Sequence, residues 1–407
     1  MSRYFKIVIT DPKTGYVFAP NVNGRLGFSL VKPTVNTWTY SSLYTDGTLT
    51  KLGSSNPSAL KVEFDIPVSF LDQPIGNPYI QISGVSLQEM SQGANLNRMN
   101  IAVYGGMAKG LPLANPAQAG LLCSGQITQA FGNWVGTSQT LSIYVQAGGS
   151  SPSSNQTTGN PSGNTILPAP TTSEAPANIV FQWKAGQPLL VPLMQTLQLA
   201  FPQYTISGAI SPNLVWSGAT ATGFYSKLSQ FATYINKASI NLISGYAPGT
   251  DYMGVKIALQ DNTILITDGT TQTAPKLLMM QDLIGQPTYG QPLEIQALCV
   301  LRGDIKVGSY VTLPPGPLTI QQGGQTGAIA PPPQGSINTT AQSFEGTFMC
   351  TSVRHVGSSR DGGGTSWITA LNLLTTAPGD AKAKAYALDV LQRPAKNRYG
   401  FYVPGQL

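Results

Sequence analysis

Apolar and polar positions alternate one by one through much of the first 147 residues. In ALKVEFDIPVSF, Leu60, Val62, Phe64, Ile66 and Val68 take every second place. Tyr79-Ile80-Gln81-Ile82 and Ile101-Ala102-Val103-Tyr104 repeat the pattern in shorter runs. Leu121, Leu122 and Ile127 surround Gly125, and Leu141, Ile143 and Val145 close the set. The opening MSRYFKIVITDP alternates in the same way. Successive side chains of a strand point to opposite faces, so this period, broken by Gly, Pro and Asn, predicts half-buried antiparallel strands. Several such strands at short spacing predict a barrel or sandwich over 1–147.

The pattern then stops. Residues 148–177 are rich in Ser, Thr, Pro and Gly and nearly free of large apolar groups. They bury too little to offset the entropy of ordering them, and read as a linker or a long exposed loop. Over 178–274 the period changes. Ile179-Val180-Phe181 reads as a strand; Leu190, Leu193, Met194, Leu197 and Phe201 then recur at helical spacing between Pro188 and Pro202. A second helix is predicted over 221–236, with Tyr225, Leu228, Ala232 and Ile235 on one face, followed by a strand at Ile240 and Leu242. These stripes are core faces, not cofactor surfaces. Val255, Ile257 and Leu259 oppose Ile264 and Ile266 across Asp261-Asn262, which predicts a hairpin.

Alternation returns over 275–376, where tight Gly turns and a late Trp367 predict a small β-barrel closed on itself. Its insertion, 314–341, carries PPGP and APPPQG and reads as an exposed loop. Over 377–407, Asp380 can cap an Ala-rich helix through Leu391, Pro394 stops it, and KNRYGFYVPGQL runs out as an aromatic, basic arm. The expected fold class is mainly β with a smaller α/β part: two β-barrel domains and an intermediate α/β domain.

Composition adds a bias toward assembly. The chain of 407 residues is 41% hydrophobic but only 10% charged, where soluble domains average roughly 25% charged. Ser, Thr, Asn, Gln and Gly supply the polarity. Such a surface is readily buried against a partner, because interface cores are depleted in charge. The net charge of +6 is dispersed and no basic run alternates with aromatics, so the chain does not read as a nucleic-acid-binding module. Cys123, Cys299 and Cys350 are widely spaced, form no CxxC pair and sit in apolar strand contexts. They read as buried free thiols rather than zinc ligands or disulfides. The N-terminal segment lacks the apolar stretch of a signal peptide, and no run of 18 apolar residues predicts a membrane span. The expectation is a protein made in a cytoplasm, with no stable membrane anchor.

Candidate chemistry is sparse. His355 is the only histidine, which removes most multi-histidine metal designs, and its strand context reads as structural. Ser358, His355 and Asp361 are neighbours in a Gly-rich turn without a nucleophile-elbow motif. Glu89, Asp282, Glu294 and Glu345 are isolated, so no carboxylate pair for glycoside hydrolysis stands out. Arg302-Gly303-Asp304 spells a short integrin-binding motif, but here it opens a turn. Gly105-Gly106 and Gly362-Gly363-Gly364 lack the strand–loop–helix context of a phosphate loop. No catalytic residue, cofactor or metal is assigned.

One set of ordered motifs is more specific. Leu283-Ile284-Gly285-Gln286-Pro287 is followed by Leu301-Arg302-Gly303-Asp304-Ile305-Lys306-Val307-Gly308-Ser309-Tyr310-Val311. Gly346 through Val353, His355, Arg360, Trp367 and Thr369 come next. In this order the third unit resembles the C-terminal part of the central hub proteins of phage baseplates. Ser309 stands where an acidic residue is frequent, and a long Pro/Gly insertion precedes Phe344. The first unit is similar to a tail-tube-like barrel through Val103-Tyr104-Gly105-Gly106, then Leu122 to Gly125 and Ile127. The middle unit, with two amphipathic helices before the Gly254-Val255-Lys256-Ile257 hairpin, fits the family's intermediate domain.

The resemblance implies five regions: a tail-tube-like domain at 1–147, a linker at 148–177, an intermediate α/β domain at 178–274, a second tube-like barrel at 275–376 and a helix and arm at 377–407. It marks Gly285, Pro287, Gly308, His355 and Trp367 as structural motif residues. It further implies a homotrimer in the virion's tail baseplate, assembled in the bacterial host cytoplasm, with a contractile tail as the expected type. Its partners would be a tail-tube protein above, a spike protein below and other baseplate proteins, with DNA only as passing cargo. Two barrels per chain let three chains match a six-fold tube and a three-fold spike. Read from the residues themselves, Arg393, Lys396, Arg398, Tyr399, Phe401 and Tyr402 form either an arm that orders on a neighbouring subunit or the spike, or a disordered terminus. The competing readings are a tail-associated glycan-binding protein or cell-wall hydrolase, and an ordinary tail-tube protein.

Overall fold

The computed structural model describes residues 3–20, 27–34, 37–43, 56–73, 76–107, 115–147, 179–202, 204–216, 218–244, 252–261, 263–270, 273–291, 294–314 and 346–378. The linker, most of the 314–341 insertion, Asn262, Phe344 and the C-terminal helix and arm lie outside them.

The first block contributes β1 (Arg3–Thr10), β2 (Val17–Pro20), β3 (Phe28–Val31), β4 (Tyr40–Ser41), β5 (Lys61–Ser69), β6 (Tyr79–Ser83), α1 (Leu87–Ser91), β7 (Asn100–Met107), β8 (Gly120–Val135) and β9 (Ser138–Ala147). The alternation is realised directly. Val62, Phe64, Ile66 and Val68 of β5 are buried, and Phe64 faces Ile80 across the β5–β6 pair. The single-turn α1 is fixed by a reciprocal cap: Ser86 Oγ accepts from Glu89 N at 3.2 Å, and Glu89 Oε2 accepts from Ser86 N at 3.0 Å.

The middle block holds β10 (Ile179–Trp183), α2 (Leu190–Ala200), β11 (Thr205–Ala209), β12 (Ala221–Tyr225), α3 (Leu228–Ser244), β13 (Lys256–Gln260) and β14 (Thr263–Thr267). Pro192 sits in the first turn of α2, where an amide has no helical acceptor to lose, and Pro202 follows the C-cap residue Phe201. The second helix differs from the expectation. Residues 221–225 form a strand antiparallel to β10, and the helix runs from 228 to 244, so Ile240 and Leu242 are helical. The burial pattern gives the reason. Leu228, Phe231, Ala232, Ile235 and Ser239 are the buried positions, a 3.6-residue stripe that continues past 236. In 221–225 the exposure alternates with period two. The predicted hairpin forms, pairing Ile257 with Ile266 and Leu259 with Ile264.

The third block adds β15 (Lys276–Leu277), β16 (Thr288–Gln291), β17 (Glu294–Val300), β18 (Tyr310–Leu313), β19 (Gly346–Ser358) and β20 (Trp367–Pro378). The molecule is mainly β. One sheet of 15 described strands runs β16-β17-β20-β19-β5-β6-β9-β8-β7-β1-β2-β3, with β4, β15 and β18 as side branches. Its order is open at both ends among the described residues. The third block does not return on itself there; it continues into the first through β19 and β5, from Ser352↔Ser69 to Ser358↔Glu63. β19 is long enough to serve two neighbours along one edge, β18 with Gly346–Met349 and β5 with Ser352–Ser358. The sheet curls. Register shifts between Val103 and Tyr104, between Ile127 and Gln129, and between Cys350 and Ser352 bend it. One apolar core draws on both blocks, and a second fills the middle unit around Phe181, Trp183, Leu193, Phe231 and Ile257.

Candidate functional site

Three of the motif residues, Trp367, His355 and Gly308, make contacts between elements. Trp367 starts β20 and is buried; its Nε1 donates to the carbonyl of Gly106 in β7 at 2.8 Å, and its ring stands edge-on to Phe64 at 5.2 Å. Arg3 of β1 lies over the same ring, 5.7 Å from its centre, donates to Ser366 Oγ at 2.9 Å and also bonds the Ser358 carbonyl. Burial lowers the Arg3 guanidinium's pKa, against the pull of Asp361. Trp367 and Arg3 therefore hold the two limbs of the curled sheet together.

His355 in β19 is fully buried. Its Nδ1 shares a hydrogen bond with Thr369 Oγ1 at 3.0 Å, and Nε2 has no protein partner. Burial first, and the charge of Lys306 second, push its pKa down to about 3. A neutral, enclosed imidazole has no route to a substrate proton. Ser358 Oγ donates instead to Glu63 at 3.1 Å, so the neighbouring Ser–His–Asp residues form no relay.

Thr369 links onward, accepting from Arg302 N at 2.9 Å. The Arg302 side chain is buried and bidentate on Asp304, at 2.9 and 2.7 Å, and it donates to the Leu277 carbonyl at 2.8 Å, with Asp282 at 3.6 Å. Burial pulls its pKa down, but the bonds and charges of Asp304 and the charge of Asp282 outweigh that and raise it. The Arg-Gly-Asp triplet is thus turned inward. Gly303 has its own reason: a Cβ there would lie 2.7 Å from the backbone nitrogen of Gly120.

Gly285 and Gly308 both need the left-handed backbone, with φ of +82° and +81°. Gly285 lies in the turn where Ile284 N donates to the Leu298 carbonyl at 2.8 Å, and Pro287 is buried just before β16. Gly308 faces the middle unit, where a Cβ would come within 2.7 Å of Leu265. The six arm residues lie outside the described residues.

Sequence reasoning missed Lys306, which joins all three blocks. Its Nζ donates to the Leu121 carbonyl at 2.6 Å and pairs with Asp261 at 3.1 Å, while Val307 N donates to Gln260 Oε1 at 3.1 Å. Tyr310 OH reaches the Gly269 carbonyl at 2.8 Å, and Lys256 forms an ion pair with Asp72. A lone Lys between the apolar Ile305 and Val307 was the available signal. The cysteines are free and buried; burial pushes Cys123 and Cys299 up to about 12 and Cys350 higher still. Among the described residues no cluster of His, Cys, Asp and Glu is arranged to hold a metal, and no helix is long and apolar enough to cross a membrane.

The outward surface is where the arrangement has most to offer. The β8–β9 hairpin carries no charge from Gly120 to Ala147 and exposes Phe131, Trp134 and Val135 near its tip. The ribbon β10–β12 exposes Val180 and Phe224, directly opposite each other. A shallow concavity of about 430 Å³ lies on the polar face of the large sheet, between Pro67, Gln296, Arg354 and Asn372. The two exposed patches carry no charged side chain, whereas the concavity is flanked by the exposed Arg354–Asp65 pair.

No family model matches the chain, and no curated protein sequence does. Solved structures give low-scoring likenesses. A tail protein from Neisseria meningitidis MC58 aligns over 77% of this chain and 95% of its own, at 11% identity and a TM-score of 0.37. The 43 kDa tail protein of prophage MuSo2 from Shewanella oneidensis aligns over 92% and 98%, at 7% identity and 0.42. A chain of the Francisella PdpA–VgrG complex aligns over 91% and 57%, at 7% identity and 0.38. At these scores the likeness by itself establishes neither a common fold nor a common function.

Proposed function

We propose that the chain is a structural hub of a phage tail baseplate, working as a homotrimer that adapts a six-fold tail tube to a three-fold spike. The observation that carries this reading is the β5–β19 pairing, which fuses the first and third β blocks into one sheet, braced by Trp367, Arg3 and Lys306. A chain that must present two similar β units in fixed relation needs such a joint, since independent domains would leave their spacing to a linker. Three copies then present six tube-like units. The order of motifs from Leu283 to Thr369 supports the same reading, as does the scarcity of charge.

In this role the hub starts tube assembly, holds the spike and frames the channel through which DNA leaves. Its site is the virion, after assembly in the host cytoplasm. The regions 1–147, 178–274 and 275–376 are its tube-like, intermediate and second tube-like domains. Arg393, Lys396, Arg398, Tyr399, Phe401 and Tyr402 form the arm that orders on a neighbouring subunit or the spike. Mass photometry of the purified chain and electron microscopy of virions test the reading. A ring of three chains at the tail tip is expected; a monomer in solution with no such ring in virions overturns it. Removing 394–407 should weaken assembly while leaving the melting temperature unchanged, and unaltered assembly would dismiss the arm.

A further inference from the structure

Among the described residues the middle unit has two small sheets, β10-β12 and β11-β14-β13, whose edge strands are β10, β12, β11 and β13. β12 pairs with β10 on one side, and β11 pairs with β14 on one side. Among the described residues neither has a strand on its other edge. The two are matched in length, five residues each, as TISGA in β11 and ATGFY in β12. Neither contains a charge or a proline, and neither pairing is interrupted by a bulge. Monomeric proteins ordinarily blunt an edge with one of these devices or cover it, because unpaired amides and carbonyls recruit another strand.

The side chains are complementary as well. β12 offers bulk: Phe224 is 70% exposed and its cross-strand partner Val180 is 63% exposed. β11 offers room: Thr205, Ser207 and Ala209 are its exposed positions, with Gly208 between two of them. A second strand laid beside small residues can seat a phenyl ring that would collide with a larger neighbour. β12 is poorly suited to its own copy, since two Phe224 faces would meet large on large.

We propose that β12 of one copy pairs with β11 of the next, extending the ribbon β10–β12 into the neighbour's β11–β14–β13 sheet. The two edges are different, so the contact is head-to-tail, the kind that closes into a ring when the rotation allows. The inference rests on the reading of the chain as a ring subunit and supplies the surfaces that join its copies.

The test places p-benzoylphenylalanine at position 224 of the full chain and irradiates the assembled oligomer. Cross-links between chains that map to 205–209 are expected. If the oligomer forms and its cross-links fall elsewhere, or none form, the pairing is overturned while the ring reading stands. If the unmodified chain is monomeric, both fall. Phe224→Lys and Ser207→Lys, each at an exposed position, provide an independent readout. Both should lower the mass of the oligomer to that of one chain without changing the melting temperature, and an intact oligomer in either variant counts against the contact.

Discussion

Arg302 is charged and buried, which makes it the most demanding side chain in the third block. Two carboxylates and a carbonyl surround its guanidinium. Removing one member of a buried ion pair leaves the others desolvated without compensation, typically at about 3–5 kcal/mol. Arg302→Met should therefore lower the free energy of urea unfolding by about that amount, and Arg302→Lys should recover little, because a single ammonium cannot reproduce the fork on Asp304. His355 makes a prediction in pH. Its folded pKa of about 3 lies below the ordinary value of 6.5. Between those values the unfolded chain holds a proton that the folded chain refuses. Its contribution is thus complete above about pH 6.5 and declines as the pH falls toward 3, by about 1.4 kcal/mol per unit. Chemical denaturation at pH 7 and pH 5 should show this loss, and His355→Gln should reduce the slope by one proton's worth. Their partners explain why these two residues were only half legible. A lone His in a strand reads as structural from sequence, but the Thr369 hydroxyl that joins it to Arg302 comes from another strand.

Elements were read well wherever one local rule decided them. β5, β6, β7 and β9 follow the two-residue period, and α2 ends where proline forbids its continuation. The misreading at 221–244 arose where two periods met. Tyr225 and Leu228 are three apart and fit a helix, yet Tyr225 ends a strand whose partner, β10, lies some forty residues back in the chain. Strand pairing overrode local spacing there, and the helix gained length on its other side. Joints between elements give sharper tests than the elements do. Gly303→Val would drive a branched side chain into the backbone at Gly120, whose nitrogen would lie 2.7 Å from the new Cβ. We expect a melting temperature lower by several degrees, whereas Gly362→Val, at a position with open space around its Cβ, should be neutral. Trp367→Phe keeps most of the ring packing and leaves the Gly106 carbonyl without its donor, which should cost about 1–3 kcal/mol in the same assay.

At the scale of the whole molecule, Lys306 is one of several groups that seat the middle unit on the curled sheet, beside Tyr310 and the Lys256–Asp72 pair. Lys306→Met should leave both apolar cores intact and loosen the joint between them. Hydrogen exchange at Lys256–Thr267 should accelerate, with little change over β5, β6 and β9; unchanged exchange in the hairpin would assign the joint to Tyr310 and the Lys256–Asp72 pair instead. The sequence by itself determined the mainly β character, the location of most strands, the buried thiols and the lack of any concentrated charge, because each depends on residues close together in the chain. Only the tertiary structure decided that the first and third blocks share one sheet, that Arg302-Gly303-Asp304 faces inward, and that β11 and β12 stand at sheet edges among the described residues. Those outcomes depend on partners such as Ser69 and Ser352, or Gly106 and Trp367, hundreds of residues apart. Periodicity tells a strand which face to bury; it does not tell the strand which neighbour to choose.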